Sequence, residues 1–402
     1  MDTREQFPIG ASVRMADLSA DPYETFRDLQ ESEPVSWIEE IGMWYLTRRE
    51  DVLAVLADTD TFTVQHPGSV LESVLGTNML TTDGEAQYRL RRPFIAAFAP
   101  RAVRAAAGEY IERLAHALID SFIQAGAADL KLAFADRLAL LSVTAVLGLP
   151  IRDYDEFRGW YTDFANGLGN FMGDAEIAAR AAASKAAFAA YVGAHLAALR
   201  TMPDESILAQ VMVSTDLTDD EIIDSTRVII FGGLETTAAL IANALWALLT
   251  HPELLVSVCA DFDLLPDVIE EALRWESPVQ TCTRQITRDV RLRGVQLRAG
   301  EVLQAMLGAA NRDITHFTHP AVFDIRRADV DEHISFGHGR HFCIGAALAR
   351  LEGLIGVRAV LERLPNLRLH PDYSAKPQGH EFRSPPRLVL TWDVPPTGAG
   401  VS

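Results

Sequence analysis

Apolar residues recur at helical spacing along most of the chain, and strand-like alternation is confined to two regions. Near the start, Pro34-Val-Ser-Trp-Ile and Met43-Trp-Tyr-Leu-Thr predict a short hairpin within 34–48, after which 49–57 returns to helical spacing. Positions 65–83 carry Pro67, Gly68 and Gly76 without a sustained period, which predicts a long irregular segment of the kind that lines a site. Helical stretches follow over 87–200, including an Ala-dense one at 175–199 that reads first as good helix propensity. Gly167, Gly169 and Gly173 break the pattern and predict a mobile connection between two helices. The clearest single element is 218–250, where Thr218-x-x-Glu221 forms a capping box and His251-Pro252 marks the stop. At about 1.5 Å per residue this helix is about 48 Å long, so it must cross the interior of a large domain. β patterning returns over 290–307, with Gly294 and Gly300 as turn punctuation, and helix resumes over 344–364. No repeat, low-complexity tract or linker is visible. The expected architecture is one domain over 1–402, mainly α with small β-sheets near 34–48 and 290–307.

Composition narrows the function. The chain has 402 residues, 49% hydrophobic and 23% charged, an ordinary globular profile. Lys and Arg number 36 against 55 Asp and Glu, and the net charge of −19 works against nucleic acid or acidic lipid as partner. Cys259, Cys282 and Cys343 are too few for a disulfide framework and suit a reducing compartment. The opening MDTREQFPIG has no apolar core, and no later run is long and uninterrupted enough to predict a membrane span, so the expected location is the cytoplasm.

Candidate chemistry concentrates in Phe336-Gly-His-Gly-Arg-His-Phe-Cys-Ile-Gly345, where glycines bracket one cysteine just before a helix. A loop with little side-chain bulk can approach a planar cofactor closely, and N–H groups with the helix N-terminus behind them stabilise a thiolate. Two other readings stand beside this: a tight turn with a buried free cysteine, and a zinc site built from His338, His341 and Cys343 with His333, although Cys-x-x-Cys pairs are missing. A dinucleotide loop fails, because Phe342 stands where its third glycine is needed. The long helix contains Phe231-Gly-Gly-Leu-Glu-Thr-Thr237. Two glycines inside a helix cost roughly 1 kcal/mol each. The Thr236 hydroxyl can bond the Gly232 carbonyl and bend the helix, opening space for a small ligand. Glu235 is a carboxylate in an apolar stretch, costly unless paired or hydrated.

The cysteine segment resembles the haem-binding signature of the cytochrome P450 superfamily, Phe-Gly-x-Gly-x-His/Arg-x-Cys-x-Gly, with every fixed position matched. The resemblance implies that Cys343 is the axial thiolate of a haem b iron, framed by Phe336, Gly337 and Gly345, with His341 facing a haem propionate. The stretch at 231–237 resembles the family's oxygen-activating motif, which assigns Thr236 to oxygen activation with its water and Glu235 to proton relay. Glu271-Ala-Leu-Arg274 resembles the Glu-x-x-Arg element, a structural support. Arg91 and Arg284 match propionate donors, and Gln87 departs from the usual histidine, leaving an uncharged donor. The likeness spans about 21–392. It implies the P450 fold, with the long helix crossing over the haem.

It also implies a monooxygenase that inserts one oxygen atom of O2 into a lipophilic small molecule by hydroxylation or epoxidation. Electrons come from NAD(P)H through a separate ferredoxin or flavodoxin with its reductase, docked at Arg89, Arg92, Arg340 and Arg350. By analogy the substrate pocket takes in Leu71, Val74, Leu75, Phe171, Ile229, Gly232, Val279, Gln280 and Phe382, with Glu72 as a second polar contact besides Gln280. A peroxide-using or rearranging haem-thiolate enzyme and a non-catalytic haem sensor are the alternatives.

Overall fold

The computed structural model describes residues 3–66, 68–170 and 173–394. It is mainly helical, 58% by residue, with small sheets. In chain order the elements used below are strands β1 (Val35–Ile38) and β2 (Met43–Leu46), helix α1 (Arg49–Ala57), β3 (Phe62–Thr63), α2 (Val70–Leu75), α3 (Gly84–Ile95), α4 (Pro100–Asp120) and β4 (Ala127–Asp129). They continue with α5 (Asp136–Leu147), α6 (Tyr154–Leu168), α7 (Ala175–Thr201), α8 (Asp219–Thr250), α9 (Leu265–Trp275), β5 (Thr281–Ile286), β6 (Val290–Leu292), β7 (Val295–Leu297) and β8 (Val302–Met306). The last are α10 (Ala346–Arg363), β9 (Arg368–Leu369) and β10 (Val389–Thr391).

The predicted hairpin forms as β1 and β2, paired antiparallel with Val35 opposite Leu46. The capping box at the start of α8 forms as read: Thr218 Oγ1 accepts from Glu221 N at 3.3 Å, and Thr218 N donates to Glu221 Oε2 at 2.9 Å. Two expectations need correction. The segment 65–83 is not irregular throughout, because Ser69 caps the short helix α2 by accepting from Glu72 N at 3.3 Å. Strand structure also begins before residue 290, with β5, whose Thr-Cys-Thr-Arg-Gln sequence lacks the apolar alternation that signals a strand. Backbone pairing with β8 over Thr281 to Gln285 holds it instead.

Residue contacts divide the chain into two compact units. The first comprises residues 1–62, 110–139 and 235–402. Its five-stranded sheet has the order β1-β2-β8-β5-β3, with β8 parallel to β2 and antiparallel to β5. One face packs a cluster that includes Phe7, Trp44, Leu46, Val55, Ile286 and Leu303. In the same unit α10 lies close against the second half of α8: a Cβ on Gly353 would stand 3.1 Å from Leu240, and one on Gly356 3.2 Å from Ile241.

Helix α9 buries Glu271 and Arg274 along with its apolar face. Both side chains are 0% exposed and pair bidentately, at 2.7 Å for each bond. The guanidinium also donates to the carbonyls of Asn311, Pro320 and Val322, and Glu271 accepts from Asp324 N at 2.8 Å. A buried pair contributes stability only when its remaining valences are met in this way. Asn311 extends the network: its amide donates to Ser277 Oγ and Ser335 Oγ, and its oxygen accepts from Ile334 N at 2.7 Å.

The second unit comprises residues 63–109 and 140–234. Its core joins α6 to α7 through aromatic contacts, with Phe157 5.2 Å from Tyr191 and Trp160 5.7 Å from Phe188. Helix α2 is held at its C-terminal carbonyls by two cations: Lys185 Nζ donates to Ser73 O at 2.8 Å and Arg227 Nη1 to Leu75 O at 2.9 Å. Gly76, at φ +83°, leaves no room for a side chain against the Asp224 carboxylate, which accepts from Thr77 N at 3.0 Å.

We predict that Arg274→Leu lowers unfolding stability by about 3 kcal/mol, because it removes the bidentate partner of a buried carboxylate and leaves it only the longer pairing with Arg327 at 3.4 Å. Chemical denaturation checks this, and an unchanged midpoint would contradict it.

Candidate active site

The cysteine loop is shaped by its backbone. Gly337 N donates to Ile334 O at 2.9 Å, Cys343 N to Phe336 O at 2.8 Å, and Phe342 N to Gly339 O at 3.1 Å across a 3₁₀ turn, Gly339–His341. Gly339 has φ +70°, and a Cβ there would lie 2.8 Å from Leu56 O on α1, so both conformation and space demand glycine. Gly345 precedes α10, and a Cβ on it would approach the Cys343 sulfur to 3.9 Å.

The loop is braced from α9 and α10. Arg350 lies 4.5 Å over the Phe336 ring and grips Glu270 with bonds of 2.6 and 2.7 Å. His333 Nε2 stands 2.9 Å from Glu270 Oε2, while its Nδ1 accepts from Ser335 N at 3.2 Å. An accepting Nδ1 puts the ring proton on Nε2, which donates to the carboxylate. Burial works to raise the Glu270 carboxyl, but the bonds from His333 and Arg350 prevail and bring it from the ordinary 4.5 down to about 2.

The buried residues His333, Ile334 and Ser335 give way to an exposed Cys343 and to Phe342, 42% exposed, unusual for a ring that size. In the same unit Arg284 on β5 is only 5% exposed; its Nη1 donates to Thr283 O at 2.8 Å, and its Nε is buried without a partner. An unmatched guanidinium donor is costly unless an anion meets it. An exposed sulfur and, in the same unit, an unmatched buried cation suit a flat, carboxylated, metal-bearing group, so these residues fit haem. The zinc arrangement does not assemble, since among the described residues no three His, Cys, Asp or Glu side chains converge on a metal position.

Glu235 and Thr236 are half-buried on α8. Glu235 Oε1 accepts from Lys131 Nζ at 3.0 Å, and the same ammonium donates to Ser384 Oγ at 2.9 Å. One turn earlier on α8 the glycines divide the work. A Cβ on Gly233 would stand 3.1 Å from Val143, whereas one on Gly232 would meet nothing within 4 Å. Gly233 therefore allows close packing of α5, and Gly232 borders open space.

The remaining predicted residues are placed as follows. Gln87 is buried on α3 and Arg91 half-buried one turn on. Ile229 is buried on α8. Val74 packs against Gly167 and Leu75 is fully buried, with Leu71 half-buried on the same helix. Val279 and Phe382 pair in an antiparallel bridge, beside which Gln280 donates to Ser277 O at 2.8 Å. Phe171 lies outside the described residues. His341 is half-buried in the cysteine loop. Of the four arginines expected to meet a redox partner, Arg350 is committed to Glu270, and Arg89 is ion-paired with Glu221; Arg92 and Arg340 are exposed. Lys131 and Glu270 escaped sequence reading because no local pattern marks them. Glu352, on α10, escaped it too: its Oε2 is buried without a partner, and burial pushes its carboxyl well above the ordinary range.

Comparison with known proteins identifies the family. The family model for cytochrome P450 matches residues 256–382. The chain is 34% identical over 368 residues to the cytochrome P450 monooxygenase PikC of Streptomyces venezuelae, covering 88% of this chain and 86% of that protein. It is likewise 34% identical to the mycinamicin IV hydroxylase/epoxidase of Micromonospora griseorubida, covering 91% and 94%. The crystal structure of P450BioI with hexadec-9Z-enoic acid ligated acyl carrier protein superposes with a TM-score of 0.86 at 30% identity, covering 94% of this chain and 100% of that one. The chain belongs to the cytochrome P450 family, and it is an enzyme of the monooxygenase type. Membership implies haem with a thiolate-ligated iron, dioxygen, redox partners and lipophilic substrates. Among the described residues α8 alone is long and apolar enough for a membrane span, and 78% of its apolar window is buried inside the protein.

Because its folded carboxyl titrates low, Glu270 contributes stability that is present above pH 4.5 and is lost as pH falls toward about 2. We predict that Glu270→Gln removes roughly 3 kcal/mol at neutral pH and flattens that acid limb. Unfolding curves taken between neutral and strongly acidic pH read both effects, and an acid limb identical to wild type would contradict the assignment.

Proposed function

We propose that this chain inserts one oxygen atom of O2 into a lipophilic small molecule by hydroxylation or epoxidation. The second oxygen leaves as water after uptake of two protons and two electrons, the electrons passing from NAD(P)H through a separate ferredoxin or flavodoxin and its reductase. The observation that carries the reading is an exposed Cys343 at the head of α10 in the same unit as a buried Arg284 whose Nε is unmatched. The names of two relatives, one a monooxygenase and one a hydroxylase/epoxidase, support the reaction type.

On this reading Cys343 would hold the iron of haem b, and Arg284, His341 and Arg91 would hold its carboxylates, with Gln87 as an uncharged donor. Once bound, the haem supplies reductive activation of dioxygen, with the thiolate's electron density favouring O–O cleavage. Phe336, Gly337 and Gly345 keep the sulfur accessible and its loop thin. Thr236 presents a hydroxyl that orients a water beside the reacting centre. Glu235 conducts protons toward that water, a task that needs a carboxylate able to exchange protons rather than store one. Glu271 and Arg274 hold the frame behind the loop. Leu71, Ile229, Gly232, Val279 and Phe382 contribute apolar surface for the substrate, and residues 1–402 act as one catalytic domain. Arg340, exposed in the cysteine loop, is the docking cation for the electron donor.

Substrate-dependent NADH consumption with a generic ferredoxin and reductase tests the function, and its absence across a lipophilic substrate panel would favour a peroxide-using enzyme or a sensor. With a substrate in hand, we predict that Thr236→Ala keeps consuming NADH while product falls about tenfold and peroxide rises; tight coupling in that variant would contradict the role given to Thr236. Arg340→Glu should slow reduction and weaken its salt dependence, whereas unchanged reduction would move the docking site elsewhere.

A further inference from the structure

Lys131 forms a bridge that the mechanism above does not use. It opens a five-residue π-helical turn, Lys131–Ala135, whose first carbonyl accepts from Asp136 N. Such turns reset the direction of side chains and recur at functional places. Its backbone is held from β4, with Lys131 N donating to Asp129 Oδ1 at 3.2 Å, and the same oxygen accepts from Leu388 N at 3.1 Å. From this fixed base the side chain, 13% exposed, reaches Glu235 at 3.0 Å and Ser384 at 2.9 Å.

Ser384 belongs to a short segment with restraints of its own. Its N–H donates to Gln378 O at 3.1 Å, Arg383 N donates to Pro278 O at 2.9 Å, and Phe382 bridges Val279. The Arg383 carbonyl accepts from Asn243 on α8 at 3.0 Å. Anything that displaces residues 382–384 therefore moves one of the ammonium's two anchors. The other anchor is the carboxylate next to Thr236.

An ammonium on a flexible stem adapts to small shifts of its acceptors while keeping its charge close to both. Without it, Glu235 would lose the cation that offsets its desolvation and would turn toward water.

We propose that Lys131 is a positioning residue that ties Glu235 to the segment 382–384, so that the packing of a substrate against Phe382 sets how the Glu235 carboxylate is held during proton delivery. This rests on the reading of Glu235 as a proton-relay group. Lys131 touches neither substrate nor cofactor in this role. It fixes the orientation of the group that does the conducting, and Ser384 is its second point of support.

The test uses the holoenzyme in wild-type form and as Lys131→Met, Lys131→Gln, Lys131→Arg, Ser384→Ala and Glu235→Gln. The first readout is independent of turnover: the infrared carboxylate band of Glu235, assigned by its disappearance in Glu235→Gln. We expect this band to shift in Lys131→Met and to return in Lys131→Arg, with a smaller shift of the same sign in Ser384→Ala. The second readout is the solvent isotope effect on product formation, expected to rise at least twofold in Lys131→Met and to be unaffected by that substitution once Glu235 is already Gln. A Lys131→Met or Lys131→Gln enzyme that is merely less heat-stable, with the Glu235 band and the isotope effect at wild-type values, overturns the proposal. If Glu235→Gln itself leaves the isotope effect unchanged, the relay reading fails, and the band shift alone still decides whether Lys131 positions the carboxylate.

Discussion

The structure around the cysteine depends on one buried ion pair with every valence met. Glu271 and Arg274 sit side by side on α9, and from there hydrogen bonds run to the carbonyls of Asn311, Pro320 and Val322 and to Asp324 N. Asn311 passes the restraint to Ile334 and Ser335, the residues at which the cysteine loop begins. A loop built on glycines has little side-chain packing to define it, so its position must be imposed from outside. The pair on α9 does so through Asn311, and Glu270 on the same helix does so through Arg350 and His333. The same network explains why Arg350, a plausible docking cation in the sequence, stabilises the loop from within.

Electrostatics around the site follows from what is buried and what is paired. Glu270 has two donors and is held low, while Glu352 has an unpartnered oxygen and is pushed up, although both are acidic residues on helices near the same loop. Lys131 and Glu235 meet at moderate exposure, where a pair remains adjustable. Arg284 carries a buried donor that no protein group satisfies, and such a deficit points to a ligand. These differences separate groups that hold the frame from groups able to answer to a cofactor or a proton.

Much of this was legible in the chain because the signals were local. The capping box of α8, its stop at His251-Pro252, the hairpin at β1 and β2 and the cysteine loop each rest on residues within a few positions of one another. The helix α2 was hidden because six residues behind a serine cap give too little periodicity to read, and β5 because pairing with β8 rather than its own side chains makes it a strand. Lys131 was hidden for a stronger reason: it meets Glu235 across 104 positions of sequence and Ser384 across 253, and nothing about a single lysine announces either partner. Glycines were half legible. Their unusual density in α8 was plain, but only the structure separates Gly233, required by Val143, from Gly232, which faces open space.

The proposed activity requires sulfur-to-iron coordination at Cys343, and the ferrous carbon monoxide absorption spectrum reads that bond most directly. The wild-type protein should show the red-shifted Soret band of a thiolate-ligated haem, replaced by an imidazole-type band in Cys343→His. An imidazole-type band in the wild type, or an unaltered thiolate band in Cys343→His, would contradict it.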